Sequence, residues 1–393
     1  MNICIFCPTV LTPDTKPEHI WLNALGGRAT TRGVICSECN NTFGSTIDTA
    51  LASQVQDLRT LLNLSSGDRR TPPPLQVTIE ENQKFVVWPD GRIELRQKPF
   101  IIEKRSDGGF DVTIKAKDLE HVDSLMPHVA AAIGISEENL RNQLGRANAR
   151  EIIQPGPQVT RNMAFGGHDP LRSLAKSCLV LWNKSGQDNA IKESPFDAVK
   201  VFVTRGDQTF LSNKIKLDGR PIPGADILAS KFGPIFNLIF VKSDSNGKIL
   251  AYVGNYNTAY WRIVIAEAGG MPNRAVGLVS NPLNPNNWSY LPNYGFDLDI
   301  SWLETPTIDE SSRNPGDSIG AALKDHTEKQ QEQHIHEMLI DTFRECQISE
   351  GSVITEEAIE RFSQRFALWL LRAKTDRPLS SEEINSLISL NKG

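Results

Sequence analysis

The sequence predicts an α+β protein in three parts, on three observations. Four of the six cysteines lie within the first 39 residues, ahead of an apolar period typical of a helix. β-Branched and aromatic runs separated by turn residues recur between 75 and 266. From 318 to the end the apolar residues return at helical spacing. A length of 393 residues fits two or three domains.

Residues 1–64 form the first unit. Phe43, Ile47, Leu51, Val55, Leu58 and Leu62 recur at intervals of four and three and make one apolar stripe. Residues 65–74 hold Gly, Ser and three prolines, which cannot continue a helix, so a linker is expected there. A mixed α+β domain should then span 75–317. Strands are expected at 76–79 and 84–88, with Asp90-Gly91 and Asp107-Gly108 as turns. Helices follow at 118–133 and 136–148, then a Pro/Gly-rich loop over 154–168 and a helix over 169–184. Strands are expected at 198–203, 235–241, 249–253 and 260–266, with Asp244-Ser245-Asn246-Gly247 as a hairpin turn. Pro, Asn and Gly make 270–315 an irregular segment. The stretch 318–393 reads as a helical C-terminal segment.

Composition excludes several function classes. A net charge of −5 and a pI near 5.9 rule out a uniformly basic nucleic-acid coat, so phosphate contacts would need a local patch or a bound metal. No run of 18 apolar residues is present, so no membrane-spanning helix is expected. The N-terminus lacks the basic start and long apolar stretch of a signal peptide, which makes the cytoplasm the expected compartment. There, paired cysteines read as metal ligands before disulfides. Residues 320–393 carry nine Lys+Arg against thirteen Asp+Glu. That segment suits a protein partner or a homo-oligomer contact better than DNA.

The strongest motif is Cys4-x2-Cys7-x28-Cys36-x2-Cys39, two knuckles that supply four thiolates for one tetrahedral structural zinc. A unit of this size has a small core and needs such a staple. Between the knuckles lie Glu18-His19-Ile20 and Gly26-Gly27. Asn40-Asn41, Gly44 and Asp48 follow the second. In this order the motifs resemble the HNH endonucleases, and more narrowly the branch whose ββα-metal core is held by a four-cysteine zinc. The resemblance covers residues 1 to about 55. It implies a metal-dependent hydrolase of phosphodiester bonds, with DNA as the expected nucleic-acid partner and restriction or anti-phage defence as the setting.

The residue types suit that chemistry. A neutral imidazole takes a proton from water near neutral pH, so His19 is the candidate general base. Hard oxygen donors favour Mg²⁺ or Mn²⁺. The resemblance carries the catalytic metal onto Glu18 and Asn40, with Asn41 the alternative if the helix start slips by one residue. Glu18 and His19 should point to opposite sides of their strand. Asn40, Gly44 and Asp48 share one helix face, where Gly44 would admit a nucleic-acid backbone. Asp48 would support the metal, orient Asn40 or face solvent. Arg28 and Arg32, on the hairpin before Cys36, are candidate phosphate ligands. The wider family often carries a middle Asn before the second knuckle. Residues 30–35 contain none, and Thr31 or a backbone carbonyl is the expected substitute. That gap motivates the alternative function, a zinc-knuckle binding module with an inactive nuclease site.

Weaker signals read structurally. His334 and His336 sit two apart and face different ways on a helix. Arg172 and Lys176, four apart after a Gly-Gly-His-Asp loop, are a candidate anion site, with helix capping the simpler account. Tyr252, Tyr256, Tyr260 and Trp261 should pack a sheet, and Cys178 a core.

Overall fold

The computed structural model describes residues 3–78, 84–96, 98–116, 119–144, 152–153, 162–186, 189–308, 314–374 and 379–380. Contacts divide the chain into two compact units, both discontinuous in sequence. One comprises Met1–Leu75, Val87–Arg92 and Arg161–Lys329, the other Gln76–Val86, Ile93–Thr160 and Gln330–Gly393. This division differs from the boundaries read at 64, 74 and 317. The cysteine segment and the later strands share one body because a single buried apolar cluster runs through both.

In the first unit β1 (Glu18–His19) pairs antiparallel with β2 (Thr30–Thr31). Three short helices follow: α1 (Ser37–Ser45), α2 (Ile47–Gln54) and α3 (Gln56–Leu61). The backbone leaves the helical region at Thr46 and Val55. Even so, Phe43, Ile47, Leu51, Val55, Leu58 and Leu62 are all buried. Burying one such side chain stabilises by about 1.5–3 kcal/mol, so the stripe holds the three pieces on one core. Residues 65–70, expected as linker, fold back onto the hairpin. The Gly67 amide donates to Asn23 O (2.8 Å) and the Asp68 amide to Asn23 Oδ1 (3.1 Å). A Cβ at Gly67 would stand 2.0 Å from Gly27 O, so only glycine permits this approach.

Helix α4 (His168–Gly186) lies between α2 and a sheet and is buried on nearly every side from Leu171 to Trp182. Next come α5 (Asp197–Arg205), α6 (Gln208–Lys214), β3 (Ile215–Asp218) and α7 (Ala225–Phe232). Then follow β4 (Asn237–Ser243), β5 (Ile249–Asn255), β6 (Ala259–Ala266), β7 (Ala275–Asn281), β8 (Asn284–Leu291) and α8 (Ile300–Glu304). The strands form one antiparallel sheet in the order β8-β7-β4-β5-β6-β3. Alternate residues enter different cores. Ile239, Val241, Ala251, Val253 and Ile263 join the cluster shared with α4 and the cysteine segment. Leu238, Phe240, Leu250, Tyr252 and Tyr260 join Leu228, Phe232 and Leu303 on the other side. Coverage of both faces explains why these strands read as nearly unbroken apolar runs.

Two sequence expectations fail here. Residues 198–203 are helical, not extended. Val199, Phe202 and Val203 are buried at helical spacing while Val201 is exposed, so the β-branched content misled where the period did not. Residues 270–315 contain two strands and a helix. β7 is interior and buries Val276, Leu278 and Val279. β8 is an edge strand, where Pro285 and several asparagines are tolerated. The tyrosines and Trp261 pack the sheet as expected, and Cys178 is core.

In the other unit the expected strands form, including the hairpin Phe100–Lys104 with Phe110–Ile114. Helices Leu119–Ile133 and Glu137–Leu144 enclose Met126, Val129, Ala130 and Leu140. Toward the C-terminus the helices are Pro315–Glu345, whose residues up to Lys329 belong to the first unit, and Glu356–Lys374, and a short strand at Leu379–Ser380 pairs with Ile152–Ile153. Ile79, residues 145–148, most of the 154–168 loop and residues 381–393 lie outside the described residues.

Candidate active site

The cysteines come together as their spacing predicts. A tight turn returns the Cys4 amide to Thr9 O (2.9 Å), and Ile5 N bonds Val34 O (3.0 Å), which brings the first knuckle beside the second. Cys36 caps α1, its sulfur accepting from Cys39 N at 3.4 Å. The four Sγ atoms lie within 4.8 Å of one another, with Cys7 and Cys36 3.5 Å apart. Sulfurs on a tetrahedral zinc stand about 3.8 Å apart, so the cluster is compatible with a zinc site. Without a cation the crowding is unfavourable for thiolates. Burial pushes the Cys4 thiol up to about 11. Burial and the neighbouring sulfurs push Cys39 far above the ordinary thiol range. A divalent ion removes that penalty.

Beside the cluster, β1, α1, α2 and α4 enclose an open pocket of about 290 Å³. Glu18, His19, Asn40, Gly44 and Asp48 all line it. Glu18 and His19, expected on opposite sides of the strand, both reach it, because β1 spans only two residues. Asn40 is half-buried in the lining. Asn41 is exposed and does not line the pocket. A Cβ on Gly44 would meet nothing within 4 Å, which leaves open space in front of that helix face.

Lys176, read from sequence as part of an anion site with Arg172, belongs to this pocket instead. Its Nζ bonds Glu18 Oε1 at 2.8 Å and Asp48 Oδ2 at 2.6 Å, with the Lys176 side chain 1% exposed. Asp48 Oδ1 accepts from Ser173 Oγ at 2.6 Å. Asp48, a candidate metal ligand in sequence, therefore has both oxygens bonded to α4. Burial opposes the charge on Lys176, but Asp48 and Glu18 together hold its pKa above the usual lysine value. Burial pushes the Glu18 carboxyl up, against the pull of Lys176. Removing one member of a buried ion pair typically costs about 3–5 kcal/mol. The signal in the sequence was Ser173, Lys176 and Ser177, a polar strip within an otherwise apolar helix.

The half-buried His19 ring makes no hydrogen bond among the described residues. Burial first, and Lys176 second, hold its pKa below the ordinary 6.5. Thr30, not Thr31, stands opposite His19 in the hairpin, and Thr31 stands opposite Glu18. Neither threonine lines the pocket. Arg28 and Arg32 also stay outside it. Arg28 donates to Asn286 Oδ1 (2.7 Å), and Arg32 reaches Thr15 O (3.3 Å) and Pro13 O (3.5 Å). The candidate anion site at Arg172 and Lys176 dissolves. Arg172 donates to Val203 O and Thr204 O at the end of α5, and His168 bonds Asp169 and Gly206 O.

A two-stranded hairpin bearing the acid-His pair and a helix bearing Asn40 thus meet at one pocket, with Cys39 of the four-cysteine cluster next in sequence to Asn40. Residues 4–56 match the family model of the HNH endonucleases. The HNH segment ends inside α3, so it contains the cysteines, both strands and every lining residue just named except Lys176. The match points to nuclease-type, metal-binding chemistry in this segment. No curated protein and no solved structure matches the chain. No helix among the described residues is long and apolar enough to cross a membrane.

Proposed function

We propose that the protein is a metal-dependent HNH-type endonuclease that hydrolyses phosphodiester bonds in DNA. The observation that carries this is the convergence of His19, Glu18 and Asn40 on one open pocket beside the cysteine cluster. His19 acts as general base. It is neutral at physiological pH because burial and Lys176 disfavour the imidazolium, so its lone pair can take a proton from water. Glu18 and Asn40 are the residues that would hold Mg²⁺ or Mn²⁺. Glu18 Oε1 accepts from Lys176, Oε2 has no hydrogen-bond partner among the described residues, and Asn40 adds an amide oxygen. When bound, such an ion neutralises charge on the scissile phosphate and the leaving oxygen. Asp48 holds Lys176, and Gly44 leaves room for a nucleic-acid backbone. Zinc on Cys4, Cys7, Cys36 and Cys39 fixes the hairpin against α1 and takes no part in the chemistry. One such site cuts one strand. By resemblance alone the reading extends to restriction or anti-phage defence.

One observation favours the second reading, a zinc-knuckle binding module with an inactive site: Lys176 occupies the carboxylates that a metal would use. Incubating zinc-loaded protein with supercoiled plasmid and Mg²⁺ or Mn²⁺, beside His19→Ala, separates the two. Nicking that disappears in the variant supports the nuclease. Retained DNA binding with no nicking by wild type under any divalent ion supports the module.

A further inference from the structure

We propose that Lys176 is a positioning residue of the HNH pocket, a built-in counter-cation for Glu18 and Asp48 that sets how tightly a divalent metal is held there. The inference rests on the metal-dependent reading above. Lys176 comes from outside the matched segment and stands 158 residues from Glu18 in sequence. Its ammonium is shielded from solvent and bonded to both carboxylates at once. Two carboxylates lining one pocket, Glu18 buried and Asp48 half-buried, repel each other and attract a cation or a proton. Lys176 supplies that cation permanently, so the pocket is assembled before any metal arrives. A divalent ion entering on the free side of Glu18 then meets a carboxylate whose charge is already shared. It also meets a fixed positive charge on the far side of that carboxylate. Both weaken its binding, and the burial of Lys176 and Glu18 limits how far water screens them. Asp48 keeps the ammonium in place, with Ser173 fixing its second oxygen. A lysine that served only to tie α4 to the HNH segment would leave metal affinity alone.

The test is Mn²⁺ binding to the zinc-loaded full-length protein, read by electron paramagnetic resonance of free Mn²⁺. Wild type is compared with Lys176→Met, and each with Glu18→Gln added. The expected result is Mn²⁺ held about tenfold tighter by Lys176→Met than by wild type, with the gain lost when Glu18→Gln is added. Equal affinities, or a gain that survives Glu18→Gln, overturn the proposal. Should Lys176→Met be unfolded without metal, Mn²⁺ must restore its far-UV circular dichroism. Lys176→Gln, whose neutral amide can still hydrogen-bond, then carries the affinity comparison. Failure of both variants to fold in saturating Mn²⁺ overturns the proposal, since the ammonium is then purely structural. Plasmid nicking by wild type is run in parallel. A wild type that nicks while the affinities are equal defeats this inference alone. A wild type and variants that bind no Mn²⁺ through Glu18 defeat the metal reading and this inference with it.

Discussion

The cysteine cluster and the pocket beside it are built on opposite plans. The cluster draws its four sulfurs from Cys4 to Cys39, within one short stretch of chain, and two turns and a helix cap suffice to assemble them. The pocket takes its hairpin and helix residues from the same stretch, yet its charge balance comes from a helix more than a hundred residues away. A site made from local spacing can be recognised in isolation. A site completed by a distant side chain is tuned by the rest of the protein.

The sharpest way to break this comparison is to remove the cluster. Cys36→Ser deletes a ligand while its hydroxyl can still cap α1. It should abolish stoichiometric zinc and the cooperative melting of the first unit, checked by elemental analysis and calorimetry, because structural zinc contributes on the order of 10 kcal/mol to such folds. His19→Ala tests the pocket without the cluster. Cleavage should fall by about a hundredfold or more while zinc content and melting temperature stay unchanged. A fragment 1–75 asks whether the two sites separate. It should bind one zinc yet show poor amide dispersion by NMR, because Ile47, Leu51 and Val55 lose α4 and the sheet as cover. Well-dispersed spectra would show that the segment is autonomous after all.

The pH profile is a finer probe. Burial and Lys176 hold the His19 pKa below the ordinary 6.5, so the acid limb of the cleavage profile should lie on the low-pH side of that value. In Lys176→Gln the inflection should move upward, since a repelling positive charge is gone. The smallest effect is expected for Gly44→Ala. The methyl meets open space and improves helix propensity by up to about 1 kcal/mol. Thermal stability should hold or rise while cleavage drops several-fold from the methyl in the pocket, read from plasmid nicking rates.

Legibility followed the range of the interactions. The four-cysteine motif and the stripe from Phe43 to Leu62 both rest on spacing within about 60 residues, where covalent geometry limits what neighbours can do. Residues 198–203 and 275–291 were misread because composition stood in for context. Val201 is β-branched but sits on the exposed side of a helix, and the asparagines of β8 are acceptable only at a sheet edge. Arg28 and Arg32 looked suited to phosphate, yet their partners, Asn286 and the carbonyls near Thr15, are set by packing.

The amino-acid order alone determined the four-cysteine cluster and the α+β class, because each depends on local period, turn residues or ligand spacing. Only the tertiary structure decided that Asp48 faces an ammonium and that the cysteine segment shares its core with a distant sheet. Which side chain reaches a buried carboxylate is settled by how helices pack, and a lysine in an apolar helix shows its purpose only when the opposing charges stand beside it.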